Sequence, residues 1–412
     1  MKISSYHKFL VVLGVIIFYL NVPLYVYVNH GLTQIEAPKT WIMVFCLLSL
    51  PVLLRQTTAW NALKSPIVVW CFGYAVLTVL SFLPSSQSEL AWQEVRWRFL
   101  TIIVLFTFLM IFWEPAGTRL ARRTLVAGVL FAVALNIYEL FVPMTFSRVL
   151  GRSAGLFEDP NMAGEALVVG MILSVTVLPI WYRGPFLLLT GIGVFATQSR
   201  AGIVAWLIAV AGILLVGSVR LRDLLLSASV GLLLVALILL PQWNQLLTTW
   251  EKAGMLNANV VERLAWFTDP SGVYDRSTWE RKYVAQRAWD KIEEHPFIGS
   301  GTGSFHQAGV LPHNQYLSLM LDHGIFGAMI LPLLILAATW GARGETKHIA
   351  IVFGCVIMVM SLFTHSILYR EHSLILFSLM AAMAATSRDR QSQRTVAMET
   401  RKEGATQALV GA

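Results

Sequence analysis

The chain has 412 residues, of which 56% are apolar and only 13% charged. A soluble globular protein carries about 25% charged residues, so a soluble enzyme or binding module is excluded. The net charge of +8 is no nucleic-acid signal, because Lys and Arg in such chains gather on the cytoplasmic side of a membrane and fix topology. The composition is that of an all-α polytopic membrane protein.

Apolar runs recur at about the 20-residue length that a helix needs to cross hydrocarbon. About 12 transmembrane helices are predicted, at approximately 9–28, 40–54, 66–84, 98–113, 122–143, 161–181, 185–198, 201–217, 223–240, 314–340, 348–367 and 372–387. The first run follows Lys2 and Lys8 and lacks a small-residue cleavage site, so it reads as a retained span. Residues 1–240 then hold helices 1–9, 241–312 form one large polar loop, 313–387 hold helices 10–12, and 388–412 make a basic tail that reads as disordered. Cys46, Cys71 and Cys355 fall inside apolar runs without metal-ligand spacing.

Charge orients this arrangement. Of 31 Lys and Arg residues, 17 fall on the side of the termini and 14 on the other, and 7 of those 14 belong to the long loop. Long loops translocate largely regardless of charge, so the termini are expected in the cytoplasm. The long loop is then expected to face outward, which for a bacterial inner membrane means the periplasm.

Several residues on the outer side carry possible chemistry. Glu139 lies within the fifth segment, and ionisable groups inside a span are functional suspects. Arg152 precedes Asp159-Pro160-Asn161, where Asn161 is the default helix cap and Pro160 the first helical residue. Arg200 closes a tight hairpin, Thr197-Gln198-Ser199-Arg200-Ala201-Gly202, at the membrane boundary. That position suits either snorkelling or a guanidinium aimed into the mouth of the bundle.

The long loop has its own pattern. Ser277-Thr278-Trp279-Glu280 matches a capping box. Val284, Ala288 and Ile292 follow at helical spacing, and Pro296 ends the helix. Arg281 shares the inward face of this amphipathic helix; it is placed either to hold a ligand or to pair with Glu262 or Asp275. Arg276 and Arg287 are secondary candidates on the same helix. Gly299-Ser300-Gly301-Thr302-Gly303 reads as a tight turn or as a nest of N–H groups for an anion.

His313-Asn314 opens the tenth segment. Exposed N–H groups at a helix N-terminus disfavour imidazolium, so His313 is expected to stay neutral near pH 7, the form a general base needs. Asp322 and His323 lie further along that segment and suit either function or pairing within the bundle. Apart from Glu158 and Asp159, no outward carboxylate cluster has the look of a divalent-metal site.

The ordered set resembles the bacterial O-antigen ligase and polymerase superfamily of membrane glycosyltransferases. The matching pieces are Gly155-Leu156-Phe157, Asp159-Pro160-Asn161, Ser199-Arg200-Ala201-Gly202, Arg281, His295-Pro296-Phe297-Ile298-Gly299-Ser300-Gly301, His313-Asn314 and Gly324-Ile325-Phe326-Gly327. One departure is that Glu280 and Ala285 stand where many relatives carry Gly and Trp around the loop arginine, which keeps Arg276 and Arg287 as alternatives to Arg281.

The resemblance implies a GT-C-like fold and an undecaprenyl-diphosphate-linked glycan as donor. For a ligase it also implies a lipid A–core acceptor and inverting transfer, as a step of lipopolysaccharide biosynthesis. His313 is then the catalytic residue, and Arg200 and Arg281 bind the diphosphate. Arg152, Asn161, Arg276, Arg287 and Asn314 are secondary candidates. Bidentate arginines neutralise a diphosphate leaving group without a metal, so no cofactor is expected. The single large loop favours ligase over the alternative, an O-antigen or exopolysaccharide polymerase using the same donor. A secondary transporter of an anionic solute is the reading from another class. It is disfavoured because transporter sites lie at the bilayer midplane between repeats, whereas these arginines lie at the outer boundary.

Overall fold

The structure is a computed structural model, and it describes residues 3–30, 38–55, 62–157, 159–239, 241, 243–252, 276–304 and 312–389. Among the described residues there are helices and turns and no strand. In chain order the helices are α1 (Ser5–Gly14), α2 (Val22–His30), α3 (Pro38–Arg55), α4 (Pro66–Phe82), α5 (Glu89–Phe112), α6 (Pro115–Phe141), α7 (Pro160–Ser174) and α8 (Ile180–Thr197). They continue with α9 (Arg200–Leu215), α10 (Leu221–Leu239), α11 (Trp243–Lys252), α12 (Arg276–Glu294), α13 (Gln315–His323), α14 (Ile330–Thr339) and α15 (Glu345–Met360). The last, α16, spans 371–389.

Helical structure covers all or most of each predicted apolar segment. Among the described residues, four stretches can cross a membrane by length and apolarity alone: Glu89–Phe112, Pro115–Phe141, Pro160–Val177 and Gln315–Thr339. The pair Ser5–Tyr19 and Val22–Asn29, bent by 48°, makes a fifth as one broken span. Pro38–Leu54, Pro66–Phe82 and Arg200–Leu215 are shorter apolar helices. Besides that bend in the first segment, two further segments depart from expectation. The tenth is broken at Gly324, where a 3₁₀ stretch joins α13 to α14. The eleventh stops at Met360, and residues 361–370 run as turns rather than helix. Leu362, Phe363 and Ile367 extend the apolar run in sequence, but Thr364, His365 and Ser366 interrupt it with polar groups.

Local chemistry sets the helix starts. Pro66, Pro115 and Pro160 open α4, α6 and α7, where a missing N–H costs nothing. Ser88 and Ser199 cap α5 and α9 through their hydroxyls. The cap of α7 is Asp159, not Asn161: its carboxylate accepts from the N–H of Asn161 at 2.8 Å and of Met162 at 3.1 Å. Asp159 stands directly before Pro160, the first helical residue, and its capping leaves the Asn161 amide for other work.

The suspect charges inside the bundle are paired. Arg98, fully buried on α5, donates to Glu94 at 2.9 Å, to His323 at 2.7 Å and to Asp322. Asp322 also accepts from the Gly303 N–H at 3.2 Å and from the Ser304 hydroxyl at 2.7 Å. Glu139 accepts from the N–H groups of Phe146, Ser147, Ala154 and Gly155, so it shapes the turn that carries Arg152. A buried charge needs this degree of pairing to persist in an apolar setting.

The glycine-rich run is a packing device. Ser300 N–H donates to Leu321 O at 2.8 Å, and Thr302 N–H donates to Ser81 O at 3.0 Å. Ile325 N–H donates to Pro296 O at 2.8 Å, so the 295–303 and 321–327 stretches interlock backbone to backbone. At Gly299, φ is +74° and a Cβ would lie 2.5 Å from the backbone of 322–324. Only glycine fits that approach.

Candidate functional site

The amphipathic helix α12 seats itself as its periodicity requires. Ala288 and Ile292 are buried against Met320 and Leu321 of α13, with Val284 beside them. The side chains of Arg276, Ser277 and Thr278 lie outside the described residues, so the capping box and the Arg276 candidate receive no structural account. Glu158, Glu262, Asp275 and Leu311 also lie outside them. Arg281, three residues before Val284, is half-buried and faces a cavity under the helix.

That cavity, of about 100 Å³, is lined by Asp159, Asn161, Met162 and Glu165 of the α7 entry, by Arg200 and Ala201 of α9, and by Arg281 and His313. Its remaining wall comes from Met360 and the turns after α15, with His365, Ser366 and Arg370 among them. Segments far apart in sequence thus converge. The N-termini of α7 and α9 both open on it, and His313 stands just ahead of α13. Helix N-termini carry partial positive charge, which adds to the guanidinium groups of Arg200, Arg281 and Arg370.

Each key side chain has a visible reason for its place. Ser199 caps α9, with its hydroxyl 3.2 Å from the Gly202 N–H, and so fixes Arg200 as the first helical residue. The same hydroxyl donates to Asn161 Oδ1 at 3.1 Å. Arg152 does not line the cavity. It donates to Thr197 O at 3.0 Å and to Asn161 Oδ1 at 3.1 Å, and thereby braces the Arg200 hairpin from behind. Asn314 caps α13, accepting from the N–H groups of Tyr316 at 2.9 Å and Leu317 at 3.1 Å. Arg287 lies apart from the cavity on the exposed face of α12, over the Tyr283 ring at 5.9 Å.

His313 lies over the cavity with its ring edge to face with His365, the centroids 5.5 Å apart. Gln315 couples their two loops. Its N–H donates to Ser361 O at 2.8 Å, and its Oε1 accepts from the Ile367 N–H at 3.0 Å. Partial burial lowers the pKa of His313 from the ordinary histidine value, and the Arg281 cation adds to the effect, with Asp159 opposing. The ring is therefore neutral at pH 7, as a proton acceptor must be.

Sequence reasoning missed Glu165, His365 and Arg370. Glu165 accepts from the Ser373 hydroxyl at 2.9 Å and is buried on the cavity wall. The rule that marked Glu139 and Asp322, an ionisable group inside a span, applied equally to Glu165. Arg370 lay on the outer side in the charge count but not beside a recognised motif. His365 was hidden inside a segment read as helix. Among the described residues no group of three His, Cys, Asp or Glu side chains is placed to hold a metal ion.

The chemistry available is anion holding by guanidinium groups beside a neutral imidazole. No curated protein matches the chain. The family model described as O-antigen ligase matches residues 185–332, a stretch that contains Arg200, Arg281 and His313. Over residues 185–332 the chain is thus similar to the O-antigen ligase family.

Proposed function

We propose that the protein transfers a glycan from undecaprenyl diphosphate to a hydroxyl of lipid A–core oligosaccharide, with inversion at the anomeric carbon and without a metal. The observation that carries this reading is that Arg200, Arg281 and His313, chosen from sequence on three separate segments, line one cavity. The donor's diphosphate sits against Arg200 and Arg281, whose forked N–H groups match phosphate oxygens in pairs. Negative charge grows on the leaving diphosphate as the glycosidic bond breaks, and the same groups stabilise it. His313 takes the proton of the acceptor hydroxyl as that oxygen attacks the anomeric carbon from the opposite side. General-base help of this kind is worth about 10²–10⁴-fold.

Twelve crossings with both termini in the cytoplasm put this cavity at the periplasmic face of the inner membrane. The excess of Lys and Arg on the side of the termini supports that orientation. Deletion of the gene tests the reaction. Loss of polymer from lipid A–core, with long lipid-linked chains accumulating, is the outcome expected of a ligase. Lipid A–core capped by single repeats would make the protein a polymerase instead.

A further inference from the structure

At the far end of α7, α15 and α16 from the candidate site lies a second polar cavity, of about 380 Å³. It is lined by Arg119, Arg122 and Arg123 at the start of α6 and by Thr176 and Val177 after α7. Glu345 and Thr346 of α15 and Thr386 and Ser387 of α16 complete it, with Pro115, Thr118 and Met383. We infer that this cavity binds the phosphate of an anionic phospholipid headgroup.

Charge is the first reason. The lining brings together three guanidinium groups, and its single carboxylate, Glu345, is already engaged by Arg183 at 3.2 Å. Arg122 is committed to the wall, donating to Leu173 O at 2.8 Å and to the Thr176 hydroxyl. Arg119 and Arg123 are exposed at the mouth. Topology alone asks for basic residues at this end of the helices, but it does not ask for a concave polar chamber between four of them.

An unsatisfied group is the second reason. Thr386 is only 8% exposed, lines the chamber, and its hydroxyl has no hydrogen-bond partner among the described residues. A buried hydroxyl without a partner costs free energy, and a phosphate oxygen in the chamber would satisfy it. The Ser387 hydroxyl, by contrast, is occupied by the Arg343 N–H and Ala384 O.

Depth is the third reason, and it selects a lipid over a free anion. Trp181 and Tyr182, just beyond Val177, are 75% and 64% exposed, and Trp340, shortly before Glu345, is 56% exposed. Exposed Trp and Tyr gather at the headgroup level of a bilayer. They put the mouth of the chamber where headgroup phosphates lie, and basic pockets between helices at that level take anionic lipid.

Native mass spectrometry of the full chain in detergent tests this, with dioleoylphosphatidylglycerol, dioleoylphosphatidylcholine and inorganic phosphate as separate probes. Phosphatidylglycerol is expected to stay bound where phosphatidylcholine is lost. The Arg119→Gln/Arg123→Gln variant should weaken phosphatidylglycerol binding by roughly 30-fold, the product of two lost basic contacts at a charged surface. Both residues are exposed, so an unchanged unfolding temperature in phosphatidylcholine checks that the variant folds. Thr386→Val should weaken binding further. Equal retention of the two lipids, or wild-type affinity in the double variant, would overturn the site. Displacement of phosphatidylglycerol by millimolar inorganic phosphate would overturn its assignment to a lipid.

Discussion

The rings of His313 and His365 meet edge to face, 5.5 Å between centroids, although 52 positions separate them in sequence. The contact joins the start of α13 to the turns after α15, and Gln315 ties the same two segments through their backbones. His365 is thus placed to hold the orientation of the His313 ring. An aromatic pair of this kind is worth about 0.5–1.5 kcal/mol. His365→Phe, which keeps the ring contact, should retain most transfer activity. His365→Ala should lose roughly 2- to 12-fold, the rate equivalent of that energy. Inactivity of the Phe variant with normal donor binding would instead give His365 a part in proton transfer.

Arg200 and Arg281 are expected to act as forks, not merely as charges. Their replacement by Lys keeps the charge but loses paired hydrogen bonding. Each Arg→Ala variant should lose about 10²–10³-fold in transfer, the usual loss when one stabilising donor is removed, and each Arg→Lys variant should fall between Ala and wild type. Purified protein in excess EDTA should still transfer glycan. Restoration by Mg²⁺ of an activity lost in EDTA would transfer the diphosphate-holding role to a metal. Near-normal transfer by Arg281→Ala would shift the role to Arg276 or Arg370.

The pH dependence follows from the surroundings of His313. Burial and Arg281 lower its pKa from the ordinary histidine value, so the neutral base persists further into acid. Transfer should therefore rise with pH through a midpoint below about 6.5 and be level at pH 7. Arg281→Gln removes one cause of the depression. The acid limb of the residual activity should then move to higher pH. An unmoved limb would mean that another group titrates.

Much of this site was legible because charge in a membrane chain is scarce. A lone Arg in a tight hairpin, an Arg on the inward face of an amphipathic helix and a His ahead of a span each violate the local pattern, and all three reach one cavity. The inward stripe of Val284, Ala288 and Ile292 was readable for the same reason, since its period is that of a helix resting on one face. What sequence did not disclose was partnership across the bundle. Whether Asp322 was a reactive group or a structural one depended on Arg98, 224 positions away. Nor does spacing separate Asn161 as a cap from Asn161 as the acceptor between Arg152 and Ser199.

Asp322 illustrates the consequence. Bonded to Arg98, Gly303 and Ser304, it holds the glycine-rich segment and hence the underside of α12. Asp322→Asn removes one of the two carboxylate partners of Arg98, leaving Glu94, and puts an N–H₂ group in place of an oxygen that accepts from Arg98 and Gly303. Leaving a buried donor without its partner costs about 1–3 kcal/mol, more for a charged group, so the unfolding temperature of the detergent-solubilised protein should fall. The fraction that remains folded should still bind donor. Unchanged thermal stability with abolished transfer would make Asp322 a participant in the chemistry.

The central claim is that His313 removes the proton of the acceptor hydroxyl while arginines hold the donor. It is tested most directly by measuring single-turnover transfer and lipid-donor binding separately on folded His313→Gln protein. The glutamine keeps hydrogen-bonding capacity but no useful basicity. Transfer is predicted to fall by about 10²–10⁴-fold with donor affinity close to wild type. Near-wild-type transfer by His313→Gln would contradict the account and leave His313 as a group that only orients substrate.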